Sequence, residues 1–350
     1  MGKLIVVDRT RIEADWTCPR RRYWLTEHGG TGVVPSMQAP ALRFGILVHE
    51  GLEVLTSTDD RAAALAHMQQ MEEWQASTLN EQLLAEALLV GFALTVWPKW
   101  VQEYERVGIE QELEMVHEGV LYMVRPDVLL RHRTSRDLWY PDFKTFGGGW
   151  QNRKWMHALQ QQLTVLAIEQ SVGEPVAGAW VQGLKKGSTR AGSLYHPLVY
   201  AYRKPGAPGL YPTQYSVKRR PGFERFPTAD YVNTTSGEQG VTAWVQHLLR
   251  TEAQVVQDCF PVTQPIFLNR QMMADFLAQR TTREQEIADA TDLTPFPQNF
   301  SACEPQYGTC PYLECCWEPH TGKDPLGSGL YVERIPHHAA ERQIREAQRG

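Results

Sequence analysis

The spacing of apolar residues changes character twice along this chain. Residues 11–26 predict a short amphipathic helix carrying Cys18, and residues 31–41, rich in Gly, Pro and Ser, predict a loop. From Ala41, "ALRFGILVHEGLEVL" has apolar residues at 42, 46, 47, 52 and 55, spacings of one and two helical turns. Residues 60–106 keep the helical period as "RAAALAHMQQMEEWQAS" and "NEQLLAEALLVGFALTVWPKW", with Pro98 interrupting the second. The period then shortens. "GIEQELEMVHEGVLYMVRPDVLLRH" (108–132) alternates and then turns continuously apolar, predicting two strands with a turn near Glu118-Gly119. "DLWYPDFKTF" (137–146) predicts a third strand, and "GGG" at 147–149 leads into a helix near 153–170. Residues 174–186 and 194–204 predict two more strands, 205–240 a loop, and 241–258 and 270–290 helices. Helices, then a sheet with one crossover helix, then helices predict an α/β (α+β) fold: a mixed central sheet flanked by helices.

Composition narrows the class. The 350 residues are 42% apolar and 21% charged, ordinary values for a globular chain with one large domain or two small ones. No run reads as the ~20 apolar residues needed to span a bilayer. The start, "MGKLIVVDRTRIE", lacks a signal-peptide core, so the expectation is a cytosolic protein with no membrane partner. Net charge is −5, so nucleic-acid contact would have to come from local basic runs. "CPRRRYW" and "SVKRRPGFERF" supply Arg20, Arg21, Arg22, Lys218, Arg219, Arg220 and Arg225, with Lys185 and Lys186 in addition. Each run is equally readable as a solvated face. Eleven Trp and thirteen Tyr offer stacking surfaces for single-stranded ends, although most belong in a core.

Four of six cysteines fall within 303–316, with spacing C-x6-C-x4-C-C. In a reducing compartment such crowding points to metal rather than disulfides. The two short C-x2-C pairs of a zinc ribbon are missing. Thiolates in an aromatic, Pro-rich setting also suit an iron–sulfur cluster, with Cys18 as the distant fourth ligand. Cys315 and Cys316 both remain open, Cys259 reads as a buried thiol, and a zinc adaptor or unligated structural thiols are the rival readings.

"YPDFKT" (140–145) poses the central question. On a strand, Asp142 and Lys144 project to one face while Phe143 faces the other way. Alone, D-x-K is an ordinary salt bridge. The neighbouring "VRPDVLL" sets Asp127 in an apolar run, where a carboxylate needs a partner. If the two strands pair, two carboxylates converge and repel unless a cation separates them. Oxygen-rich sites of this kind suit Mg²⁺ or Mn²⁺, and a nearby lysine can stabilise charge developing on a phosphate. His49, on the upstream helix, becomes a ligand if that helix packs over the carboxylates.

Gly45-x-x-x-His49, Arg125-Pro126-Asp127, Asp142-Phe143-Lys144-Thr145 and a following Gln-bearing helix, in this order, resemble the PD-(D/E)XK nuclease superfamily. They are most similar to its RecB-like branch, which includes the RecB and AddB nuclease domains, CRISPR adaptation exonucleases and phage exonucleases. The resemblance implies a single restriction-endonuclease-like domain over 1–350, with a helical insertion at 60–106 and a polar tail at 335–350. It implies that His49, Asp127, Asp142 and the Phe143 carbonyl hold Mg²⁺ or Mn²⁺ and that Lys144 is catalytic. Gln162 takes the place of the motif's Gln, with Gln161 the alternative; the motif's Tyr is replaced by Leu166. "CPRRRY" and "YGTCPYL" resemble the iron-staple members, implying a [4Fe–4S] cluster on Cys18, Cys303, Cys310 and Cys316 (18 plus 300–318). Its spacing favours Cys316 over Cys315. The implied activity is DNA exonuclease action in recombination or repair, with replication or recombination proteins as partners. The missing Tyr keeps a non-catalytic DNA-binding accessory role as the alternative.

Overall fold

The computed structural model describes residues 5–147, 159–187, 189–190, 193–194, 196–203, 210–212, 224–234, 237, 239–290, 292–303, 309–317, 324–336 and 338. Lys218, Arg219, Arg220, Gly148, Gly149, the beginning of the helix expected near 153, and most of the tail from 337 onward lie outside the described residues.

Strand β1 (Ile5–Asp8) runs directly into α1 (Arg9–Thr17), and β2 (Val33–Pro35) follows further along the chain. Asp8 caps α1 by accepting from the Arg11 N–H at 2.8 Å, which satisfies one of the free donors of the first turn. The helix expected over 11–26 breaks at Cys18, which is extended (φ −165°, ψ 115°). Pro19 is the reason: a residue preceding proline is driven out of the α region. A helical turn, Pro19–Arg22, and a wider one, Tyr23–Glu27, follow.

Helix α2 (Pro40–Thr58) buries Phe44, Leu47, Val48, Leu52 and Leu55. Helix α3 (Leu79–Thr95) begins with a reciprocal cap between Thr78 and Glu81 and is buried over most of its surface. The chain kinks at Val96 into a further helix, Trp97–Glu103, with Pro98 in its first turn, where no N–H is needed. Together Leu79–Glu103 are long and apolar enough to cross a membrane by length and composition, contrary to the sequence expectation. Leu84, Leu88, Phe92, Trp97 and Trp100 on this stretch are buried in the protein core.

The segment expected to form two strands forms four: β3 (Tyr104–Ile109), β4 (Leu113–His117), β5 (Val120–Val124) and β6 (Val128–His132). The β4–β5 turn sits at Glu118-Gly119 as anticipated. Both residues have positive φ, 46° and 83°, the backbone that a tight two-residue hairpin requires. The second break falls at Arg125-Pro126-Asp127. There the chain leaves one sheet, ordered β4-β5-β1, and enters another, ordered β3-β6-β7-β8, with β7 spanning Leu138–Phe146 and β8 Val176–Lys185. Proline suits this junction because it offers no N–H to a ladder.

β6 and β7 are antiparallel, while β7 and β8 are parallel and joined through α4 (Leu159–Val172). Successive β7 residues divide between two cores. Phe143 joins the α2–α3 core, where it stacks on Trp100 at 5.8 Å. Leu138 and Tyr140 pack with Val165 and Ile168 of α4 on the opposite face. The strand expected over 194–204 splits into Ser193–Leu194 and Tyr200–Arg203. The expected loop contributes Leu210–Pro212 and Glu224–Pro227, which flank Tyr200–Arg203 in an antiparallel patch.

Helix α5 (Arg270–Asp289) is tied to the segment around α1. Its Glu284 takes both guanidinium nitrogens of Arg22, at 2.7 and 2.5 Å, and its Arg280 binds Asp15 at 2.7 Å. All four side chains are buried, so each charge depends on its partner.

Candidate active site

The site forms where α2, the β5–β6 junction, β7 and α4 meet. Asp142 and Lys144 project from the same face of β7, and Lys144 Nζ lies 2.6 Å from Asp142 Oδ2. Asp142 is only 1% exposed, so its carboxylate must find donors within the protein. Tyr140 OH donates to Oδ1 at 2.8 Å, Gln161 Nε2 to Oδ2 at 2.9 Å, and Gln160 Nε2 to Oδ1 at 3.3 Å. Lys144 Nζ also donates to the Phe143 carbonyl at 3.1 Å.

Asp127 arrives from the start of β6. Its Oδ2 accepts the Phe143 backbone N–H at 2.5 Å, which fixes it beside Asp142 on β7. Its Oδ1 faces His49 Nδ1 at 3.8 Å. Helix α2 thus brings His49 over the carboxylates. His49, Asp127, Asp142 and Lys144 line one cavity of about 430 Å³, together with Arg9, Gln160 and other residues.

The charge states differ from group to group. Burial pushes the Asp127 carboxyl up, and the nearby Asp142 charge adds to this against the opposing pull of His49 and Lys144. For Asp142, burial also pushes up, but Lys144, Arg9 and the Tyr140 hydrogen bond outweigh it and hold the group below its ordinary value. Burial lowers His49 despite Asp127, leaving the imidazole neutral at physiological pH with a lone pair to offer. Tyr140 is raised well above its usual range, by burial first and then by the two carboxylates.

Among the described residues, no three His, Cys, Asp or Glu side chains are gathered as a metal centre. The donor chemistry nevertheless fits a hard dication: two neighbouring carboxylates, one buried and one half-buried, a neutral imidazole and a backbone carbonyl. Lys144 Nζ touches Asp142 Oδ2 and the Phe143 carbonyl, two of the four groups that the resemblance assigns to the cation.

Several expected residues sit elsewhere. Gln162 turns away from Asp142, and its Oε1 accepts the Asn269 N–H at 2.9 Å, just ahead of α5. Consecutive helical residues diverge by about 100°, so Gln161 and Gln160 occupy the position expected for Gln162. Arg22 is buried against Glu284 and is closed to phosphate. Arg20 donates to the Phe296 carbonyl at 2.8 Å, and neither Arg20 nor Arg21 lines the cavity. Lys186 lies over the Phe44 ring at 5.9 Å. A tyrosine hydroxyl that the motif does not call for touches Asp142 from within the D-x-K strand itself, that of Tyr140. Arg9 precedes the helix expected from residue 11, but the helix starts at Arg9, and its signal in the sequence is its place on the stripe Arg9, Ile12, Glu13 and Trp16.

The cysteines separate into two directions. Burial pushes the Cys316 thiol up, and Cys18 and Cys310 are close enough to add to this. Cys18 Sγ accepts the Asn299 N–H at 3.3 Å, and the Cys303 carbonyl accepts the Cys310 N–H at 2.9 Å. Cys315 instead packs among Trp24, Val33, Tyr312 and Tyr331, and burial pushes its thiol to about 11. Cys259 is a buried thiol pushed to about 12 by burial, and it donates to the Val255 carbonyl.

The family model of the PD-(D/E)XK nuclease superfamily matches residues 9–317. No curated protein matches the chain.

Proposed function

This chain belongs to the PD-(D/E)XK nuclease superfamily, whose nucleases use divalent metals, and we propose that it is a DNA exonuclease whose reacting centre is His49, Asp127, Asp142 and Lys144. The observation that carries this reading is the meeting of Asp127, Asp142 and Lys144 in one cavity under His49. His49, Asp127, Asp142 and the Phe143 carbonyl are the ligands we assign to Mg²⁺ or Mn²⁺. The cation supplies Lewis acidity there, making a water more acidic and shielding phosphate charge.

The remaining work falls to the chain's own groups. Tyr140 and Gln161 hold the Asp142 carboxylate by its two oxygens, keeping it oriented and ionised. The Phe143 N–H holds Asp127 by its Oδ2. Lys144 donates to a phosphate oxygen as negative charge builds on it. Water attacks phosphorus, one P–O ester bond breaks, and the departing oxygen takes a proton. Leu166 stands where the related motif has Tyr, and Tyr140 supplies a hydroxyl to the same carboxylate from the strand.

We assign Cys18, Cys303, Cys310 and Cys316 to a structural [4Fe–4S] cluster. The proximity of Cys316 to Cys18 and Cys310, together with the N–H donated to Cys18, supports Cys316 over Cys315. A cluster there would crosslink Cys18 to residues almost 300 positions away, closing a very long loop. The purified protein should show the visible absorption of iron–sulfide charge transfer, which d¹⁰ zinc lacks.

The activity is tested with end-labelled linear DNA and closed circular DNA of the same sequence, each with Mg²⁺, Mn²⁺ or chelator. Progressive loss of the linear DNA alone, and only with a cation, is expected. Cleavage of both forms would replace exonuclease with endonuclease. No cleavage with either cation would favour the non-catalytic accessory role.

A further inference from the structure

We propose that Trp16, backed by Phe276, is the stacking platform for an unpaired base next to the scissile phosphate, so that this nuclease takes single-stranded ends. The proposal rests on the hydrolytic reading above and adds a specificity element to it.

Arg9, Ile12, Glu13 and Trp16 recur at helical spacing and line the cavity that holds Asp127, Asp142 and Lys144. The stripe therefore runs from the charged centre outward, and Trp16 lies about 10 Å along the α1 axis from Arg9. Arg9 lines the same cavity as Asp142, and its Nε donates to Glu13 Oε1 at 2.6 Å, so a paired guanidinium and carboxylate form the wall that leads to Trp16. Trp16 is 53% exposed. Its ring meets the Phe276 ring of α5 edge-on, with centroids 5.7 Å apart and planes at 66°. Phe276 packs against the core beneath it, so the indole is braced on one side and open to the cavity on the other.

Trp16, Leu159 and Phe276 also line a second cavity, of about 850 Å³, over the start of α5. That cavity is lined by Asn269, Gln271, Gln279, Arg280 and Arg283 together with the carboxylates Asp15 and Asp275, and Arg283 and Gln271 are held by Asp15 and Asp275 at 3.1 and 3.0 Å. Beyond the aromatic face the surface is therefore polar and of mixed charge, leaving the indole as the element of the proposal. A paired base in a duplex has both faces covered by its neighbours. An unpaired one can lay its face on an indole, a contact indifferent to base identity.

The test measures binding in the Lys144→Ala protein with Mg²⁺, by initial fluorescence anisotropy of a labelled single-stranded oligonucleotide and of its blunt duplex. Stacking is worth roughly 1–3 kcal/mol per base, so Trp16→Ala should weaken single-strand binding by about 5- to 150-fold. Trp16→Phe, which keeps an aromatic face, should restore most of the affinity. Trp16→Leu keeps apolar packing on Phe276 without that face; it should stay weak, and it decides the matter if Trp16→Ala fails to fold. Duplex binding should change far less in every variant. The proposal is overturned if Trp16→Leu binds single strands like the parent protein, if single-strand and duplex affinities fall together, or if the parent binds no single strand. Cleavage surviving in Lys144→Ala would instead count against the hydrolytic assignment and leave the binding comparison readable.

Discussion

Asp142 accepts hydrogen bonds from Lys144, Tyr140, Gln161 and Gln160, and its behaviour follows from which of these are present. Removing the Tyr140 hydroxyl takes away one of the interactions that lower its pKa. In Tyr140→Phe the acidic limb of the cleavage rate should therefore move to higher pH, as read from kcat/KM against pH. An unmoved limb would show that Asp142 ionisation does not limit the reaction. The glutamines make a sharper contrast. Gln161→Ala should slow cleavage by roughly 10- to 100-fold, the usual cost of losing a group that orients a ligand. Gln162→Ala should leave cleavage near normal and cost about 1 kcal/mol of stability, through the hydrogen bond at Asn269. Four positions of the centre, His49, Asp127, Asp142 and Lys144, were legible because strand alternation and motif order single them out. The glutamine register was not: in the run of three at 160–162, only the rotation of α4 decides which one reaches the carboxylate.

Periodicity carried the elements where it was sustained, as in α2, α3, β7 and β8, and failed where a single residue overrides it. Pro19 splits the expected first helix at Cys18, and Pro126 divides the expected second strand between two sheets. The short strands inside 205–240 were hidden by their Pro- and Gly-rich surroundings. One glycine shows how strictly a local conformation can be required. Gly32, just before the strand Val33–Pro35, has φ +80°, and a Cβ added there would sit 2.0 Å from the Leu25 carbonyl oxygen. Gly32→Ala should cost roughly 1–3 kcal/mol from the left-handed backbone alone, with the collision in addition. Thermal or denaturant unfolding checks this, and an unchanged midpoint would contradict it. The turn lies beside the Trp24–Cys315–Tyr331 cluster, so the same substitution should also weaken any iron–sulfur chromophore.

At the scale of the whole molecule, the segment carrying Asp15 and Arg22 is held to α5 by charges that the linear sequence does not connect. Arg22 and Glu284 are 262 positions apart, and local pattern gives no signal of such a pair; Arg22 therefore read as a phosphate contact. Replacing Glu284 with Ala should cost about 3–5 kcal/mol, since it strands buried guanidinium groups. Asp15 gives the same network a pH dependence. Burial opposes its ionisation, but Arg283 and Arg280 prevail and depress its pKa below 3.8. Its contribution is then fully present above that value and lost as pH falls below it. In Asp15→Asn, stability should be lower at neutral pH and should fall less steeply under acid; parallel acid curves for the two proteins would refute this role. The same network holds α1, whose Arg9 and Trp16 line the cavity of Asp127, Asp142 and Lys144.

The measurement that bears most directly on the convergence of Asp127, Asp142 and Lys144 is single-turnover DNA cleavage by Lys144→Ala beside the unaltered protein, in saturating Mg²⁺ or Mn²⁺. Losing a charge-stabilising donor of this kind typically costs about 10²- to 10³-fold in rate, and the account predicts a loss of at least that order with folding and DNA binding intact. A Lys144→Ala protein that cleaves at the full rate would contradict it.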